Sequence, residues 1–199
     1  MAIDGVRSFV AVLLPPAVRA ALGAEIGRLR AVAAADVAWV APDNLHVTLK
    51  FLGRVDAARL DQVQWALADV ARAGRAFDLG VRGLGAFPTA SRARVLWAGV
   101  AEGAQALGAL AAAVDARLGG LGLEPETRPF AAHVTLGRVR TPQRDAALAA
   151  AVGAGTGRDF GTFAVDAFVL MRSDLSPRGA RYSVLASWRL GADPERGQP

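Results

Sequence analysis

The tetrapeptide His-Val-Thr-Leu occurs twice, at His46–Leu49 and at His133–Leu136, and the two copies lie 87 residues apart. The chain has two histidines, and each opens one copy. A lone histidine is more often a packed or surface residue than a catalyst. That reading weakens sharply here, because a scarce residue carries identical flanks twice in a sequence dominated by Ala, Arg and Gly. Histidine is also the side chain whose unperturbed pKa lies nearest neutrality, which makes it the usual proton carrier.

The surroundings of the motifs repeat too. Arg7–Leu14 is a β-rich apolar run and reads as a buried strand. Pro15-Pro16 stops it, and Val18, Leu22, Ile26 and Leu29 then recur at helical spacing to about Ala34. Val37–Val40 is a short extended piece before the turn at Pro42-Asp43-Asn44. The first motif strand runs from about Leu45 to Leu52. Asp56 is placed to cap a helix striped by Leu60, Val63, Leu67 and Val70, ending at Gly74. Phe77–Phe87 reads as one bent strand or two short ones, and Arg94–Val100 as another. Glu102–Leu118 reads as a helix, Phe130–Val139 as the second motif strand, and Gln143–Val152 as a helix opened by Thr141-Pro142. Phe160–Met171 and Arg181–Leu190 read as a final strand pair with a long turn at Ser173–Gly179. The polar tail Ala192–Pro199 reads as disordered. Both halves thus show the order helix, motif strand, helix, two strands. The expected fold is α+β, one bilobal duplicated domain over residues 1–191. Two antiparallel sheets flank a central cleft, helices lie outside, and a pseudo-twofold axis relates the motifs.

Composition narrows the function. Cysteine is absent, which excludes disulfides, thiol nucleophiles and Cys-based zinc sites. No apolar run reaches the roughly 18 to 20 residues of a membrane span, and the start lacks the shape of a signal peptide. The expected location is cytoplasmic, with no membrane partner. The net charge of +5 suits an anionic partner such as RNA or a phosphorylated small molecule; a base-composition bias toward Arg explains it equally well. The arginines are dispersed, which favours a basic cleft over a basic arm.

Side chains alternate along a strand, so His46, Thr48 and Lys50 should share one face and Val47, Leu49 and Phe51 the other. His133 and Thr135 likewise share a face. Two imidazoles and two hydroxyls converging from opposite sides suit a tetrahedral anion. Phosphoryl chemistry needs a base for the attacking oxygen and an acid for the leaving oxygen, and a neutral and a protonated histidine supply both. The hydroxyls can donate to non-bridging oxygens. No cofactor or metal is required, and two histidines without a carboxylate cluster make a poor ligand set. A Ser-His-Asp triad would leave the duplication unexplained. The chemistry supplies the pair and leaves open which histidine does which.

The two His-x-Thr-x motifs and their flanks resemble the 2H phosphoesterases, and within them the 2′-5′ RNA ligase or RNA 2′,3′-cyclic phosphodiesterase family. The stretches that carry the resemblance are Arg7–Val12, Trp39–Gly53, Arg94–Val100 and Pro129–Val139, with a weaker one at Ser173–Tyr182 containing Leu175, Gly179 and Tyr182. It runs from about Arg7 to Leu190. It implies hydrolysis of a 2′,3′-cyclic phosphate RNA end to a 2′-phosphate. It further implies that His46 is the proton donor, His133 the proton acceptor, and Thr48 and Thr135 the phosphate-binding hydroxyls. Run backwards, the same site would join RNA ends in a 2′-5′ linkage without ATP. Phe51 and Arg138 each stand five residues after a motif histidine, and in similar proteins these positions flank the terminal base. The alternative for Phe51 is a core residue. Lys50 has the parity to attract the RNA backbone, or else ends a solvated strand. Arg94 reads most simply as a surface residue, and Trp39, Trp65, Trp97 and Trp188 as core or near-core. The expected partner is RNA with a cyclic phosphate end or a cyclic nucleotide, and a single chain carrying both motifs suggests a monomer. Two other readings stand beside this one: a sister activity on a small cyclic phosphate or 2′-5′ oligonucleotide, and a non-catalytic RNA-end-binding module.

Overall fold

The β-rich apolar run forms strand β1 (Val6–Leu13), and Pro16 opens helix α1 (Pro16–Val32), which buries Val18, Leu22, Ile26 and Leu29. The structure is a computed structural model whose described residues are 5–141, 143–176 and 179–191; the tail expected to be disordered lies outside them. β2 (Val37–Trp39) and a single 3-10 turn (Pro42–Asn44) lead into the first motif strand, β3 (His46–Val55). Asp56 caps α2 (Ala57–Ala73) by accepting the Arg59 N–H at 2.8 Å, and Gly74 ends it. β4 (Phe77–Phe87) is one strand whose pairing slips between Val81 and Leu84. β5 (Val95–Val100), α3 (Ala104–Gly119) and the second motif strand β6 (His133–Val139) follow. Asp145 caps α4 (Ala146–Ala154), and β7 (Asp159–Val165), β8 (Ala167–Ser176) and β9 (Gly179–Arg189) complete the fold.

The strands form one antiparallel sheet in the order β7-β4-β5-β6-β3-β1-β8-β9, with β2 also paired to β6. Two antiparallel sheets flanking a cleft are expected from the sequence; the strands run instead as one continuous sheet with the two motif strands as neighbours at its centre. There β3 and β6 are joined through the pair Val47↔Val134. Elements recur about 87 residues on: β1, α1, β3, α2 and β4 return as β5, α3, β6, α4 and β8. The repeat therefore starts with a strand, and its last strand is exchanged. β4 pairs with β5 of the second repeat, and β8 pairs with β1 of the first. The four helices and the inward strand residues, among them Val47, Leu49, Val134, Leu136 and Phe168, build one core. On the opposite face Phe9, Ala11, Val169 and Met171 form a smaller cluster with Tyr182 against it.

Three further sequence expectations are corrected. Phe160–Met171 is two strands, broken at Asp166, because its ends serve opposite edges of the sheet: β7 pairs with β4 and β8 with β1. The long turn at Ser173–Gly179 is mostly ladder, running out to Ser176↔Gly179. Both strands there can be polar because the ribbon needs no apolar face to bury. Trp65 is 77% exposed. It sits two residues from Val63 on α2, about 200° around the helix from that buried stripe.

Candidate active site

Both motif strands carry a bulge at the last residue of the tetrapeptide. Along β1 and β3, Ala11 pairs with Thr48 and Val10 with Lys50, which leaves Leu49 extra. Along β5 and β6, Trp97 pairs with Thr135 and Leu96 with Gly137, which leaves Leu136 extra. A bulge inserts one unpaired residue and resets the alternation beyond it. His46, Thr48 and Phe51 therefore share the open face of the sheet, as do His133, Thr135 and Arg138. Phe51 is 58% exposed there, so the core reading of this residue does not hold.

The same reset turns Lys50 away from the histidines, against its expected parity. Its side chain is buried, donates to the Asp115 carboxylate of α3, and donates to the Glu124 carbonyl at 2.7 Å. Asp115 also accepts the Glu126 N–H at 3.0 Å. Gly137 occupies the matching place in β6. A Cβ there would stand 2.7 Å from Val37 and 3.0 Å from Trp39, so β2 fills the space a side chain would need.

The antiparallel register about Val47↔Val134 sets His46 across from Thr135 and Thr48 across from His133. His46 Nδ1 donates to the Asn44 carbonyl at 2.7 Å, and His133 Nδ1 donates to the Ala131 carbonyl at 2.7 Å. A carbonyl can only accept, so each Nδ1 carries a proton and each Nε2 is the nitrogen left for proton transfer. His46 Nε2 lies 3.1 Å from the Thr48 hydroxyl. The Asn44 side chain donates to the Ala180 carbonyl at 2.9 Å, tying β9 to the turn that holds His46. Burial lowers both imidazoles from the ordinary histidine value. The Asn44 carbonyl raises His46 in part, and the positive potential of His133 lowers it. For His133 the Ala131 carbonyl raises and Arg138 lowers.

Aromatic rings wall the site. Phe9 lies 4.8 Å from His46 between ring centroids and 6.0 Å from Phe51, and Tyr182 stands edge-on to His46 at 5.4 Å. Phe87 is edge-on to His133 at 5.3 Å and lies 5.2 Å from Trp97. Sequence reasoning missed Phe9, Tyr182 and Phe87 as neighbours of the histidines. Phe9 alternates with the core residues Val10 and Val12, which is a signal for the open face, but its partner strand is a tertiary matter. Arg94 is exposed, as expected. A separate apolar cavity of about 740 Å³ lies between α2 and α3, lined by Val70, Phe77, Leu110 and Leu190, and shares no residue with the motif strands.

Two His-x-Thr strands joined at the middle of one antiparallel sheet, each histidine held by the carbonyl two residues before it, define a phosphoesterase of the 2H type. The chain belongs to the LigT-like phosphoesterases, whose family profile matches residues 12–97 and 99–182. An RNA 2′,3′-cyclic phosphodiesterase from Methanothermobacter thermautotrophicus is 34% identical over 185 residues, 93% of this chain and 99% of that protein. One of the same name from Archaeoglobus fulgidus is 35% identical over 179 residues, 90% and 97% of the two chains. Among solved structures, a Thermus thermophilus protein superposes with a TM-score of 0.79 at 30% identity, over 94% of this chain and 99% of that one. E. coli LigT complexed with 3′-AMP superposes with a TM-score of 0.73 at 28% identity, over 95% and 100%.

Proposed function

We propose that this chain is an RNA 2′,3′-cyclic phosphodiesterase that opens a cyclic phosphate end to a 2′-phosphate without a metal or other cofactor. The observation that carries the reading is the pair of Nδ1 anchors, which leave two Nε2 atoms for proton transfer on one face of the sheet. Water attacks phosphorus and gives its proton to His133 Nε2. The bond from phosphorus to the 3′ oxygen breaks, and His46 Nε2–H protonates that oxygen. The Thr48 hydroxyl, 3.1 Å from His46 Nε2, donates a hydrogen bond to a non-bridging phosphate oxygen as the imidazolium turns its N–H to the leaving oxygen. From the other strand the Thr135 hydroxyl donates to a second non-bridging oxygen. Phe51 and Arg138 take the terminal base between a ring face and a guanidinium plane. The names of the relatives and the nucleotide bound to E. coli LigT support this substrate class. The same site run backwards would form a 2′-5′ linkage. Both motifs lie in one chain, which supports action as a monomer, and the lack of cysteine fits a reducing cytoplasm.

The test uses an RNA oligonucleotide ending in a 2′,3′-cyclic phosphate, with chelator present. The expected product is the 2′-phosphate, with His46→Ala and His133→Ala each slower by about 10² to 10⁴ fold. Loss of wild-type turnover with chelator would remove the metal-free mechanism. Retained binding without turnover would make the chain an RNA-end-binding module, and turnover of mononucleotides alone would favour the sister activity on small cyclic phosphates.

A further inference from the structure

His46 and His133 share a tetrapeptide, a bulge and an Nδ1 anchor, yet the proposed reaction asks opposite things of them. What differs is what packs against each ring. Phe9 on β1 meets His46 at 4.8 Å between centroids with the planes tilted 32° apart, so the Phe9 ring face leans toward the imidazole. Phe9 is itself buried, and Tyr182 stands at 75° to it and 86° to His46, closing the arrangement from β9. Among the described residues, His133 has one T-shaped neighbour and no second ring tilted over it as Phe9 is over His46. The β5 residue paired with it is Gly99, which offers no side chain, and Phe87 approaches at 87°. Arg138 lies on its own strand and adds positive potential.

An aromatic face carries negative quadrupole charge, so it stacks more favourably on an imidazolium than on a neutral imidazole. We propose that Phe9 assigns the acid role, its ring face stabilising the imidazolium at position 46. Phe9 acts through His46 and is a positioning residue. The inference rests on the two-histidine reading of the site. Among the described residues, the titratable groups that face His46 are Tyr182 from β9 and His133 from β6. β1 presents only apolar Phe9, Ala11 and Leu13, and Lys50 faces the core. Toward His133 the facing charge is Arg138, while β4 presents Phe87 and β5 presents Trp97 and Gly99.

With two histidines in the sequence, an NMR titration of the free protein follows two imidazoles and nothing else. Phe9→Leu keeps the site apolar and removes the ring face. The His46 midpoint should fall by about half a unit to one and a half units while His133 stays in place. The alkaline limb of the pH–rate profile should move down by the same amount, with the acid limb unchanged. Phe9→Tyr, which keeps the ring face, should restore the wild-type midpoint. If the Leu variant does not fold, Phe9→Met is read in the same way. A His46 midpoint that stays or rises in Phe9→Leu, or a fall in Phe9→Tyr equal to that in Phe9→Leu, overturns the inference. Either result with an active wild type overturns this inference alone; an inactive wild type overturns the phosphodiesterase reading and leaves the titration valid.

Discussion

Lys50 directly follows the first tetrapeptide, and a regular strand would set it beside the histidines. One extra residue in the ladder sends it to the core instead, where it holds Asp115 and the Glu124 carbonyl. It thereby ties the first motif strand to α3 and to the segment leading toward His133. Removing one member of such a pair strands the other. Lys50→Met should cost about 1–3 kcal/mol in denaturant unfolding, less than for a fully buried pair because Asp115 is partly exposed. Lys50→Met with Asp115→Leu should recover part of that loss, and a strictly additive double variant would argue against the coupling. Thr48 makes its contribution through one hydroxyl at 3.1 Å from His46 Nε2. Thr48→Val keeps the shape and should lower kcat/KM about 10² fold with little change in unfolding midpoint.

At the scale of an element, the paired bulges place Phe51 and Arg138. Leu49 is skipped in the ladder with β1 and Leu136 in the ladder with β5, and Phe51 and Arg138 reach the open face because of them; a second shift in the β1 ladder skips Leu52. Phe51 is largely exposed, so Phe51→Ala should change stability by no more than about 0.5 kcal/mol. It should raise KM about 5 to 100 fold, the value of one stacked base, with a smaller effect on kcat. Gly85 on β4 illustrates the opposite demand. A Cβ there would fall 2.1 Å from the Trp97 ring, which lies directly over it. Gly85→Ala should displace that indole and cost about 1–3 kcal/mol, visible as changed tryptophan fluorescence together with a lower unfolding midpoint.

At the scale of the whole molecule, the exchange of β4 and β8 means that neither half of the sheet comes from one continuous half of the chain. The duplicated repeats must fold as one cooperative unit. Its stability depends on pH in two steps. Both folded histidines lie below the unfolded value of about 6.5, so the unfolded chain binds more protons and stability falls as pH drops below about 6.5. Asp145 and Asp115 add a second step. Burial pushes Asp145 up, but N–H groups of Leu148, Ala35, Ala34 and Ala147 outweigh it and hold the carboxyl low. The hydrogen bond from Lys50 holds Asp115 low. Their stabilisation is complete above the unfolded carboxylate value of about 3.9 and is lost as pH falls through the folded values. A plot of unfolding temperature against pH should show both declines, and the double variant His46→Gln, His133→Gln should lose the upper one.

That the two motif strands lie together was legible in the sequence, because a repeated tetrapeptide holding the only two histidines of the chain points to its own residues. The helices, their Asp56 cap and most strands were legible too, since local periodicity and capping act within a few residues. The proposed acid and base roles come from the family resemblance, since the residues by themselves left them open. What the tertiary structure decided is everything that depends on a partner strand. A bulge exists only relative to a neighbour, so the destinations of Lys50 and Phe51 could not be read from alternation. The break at Asp166 follows from two ends pairing at opposite edges of the sheet, and the Phe9 ring tilted against His46 comes from a strand 37 residues earlier. Pairing is a long-range choice made by the whole chain, and a single sequence records only its local half.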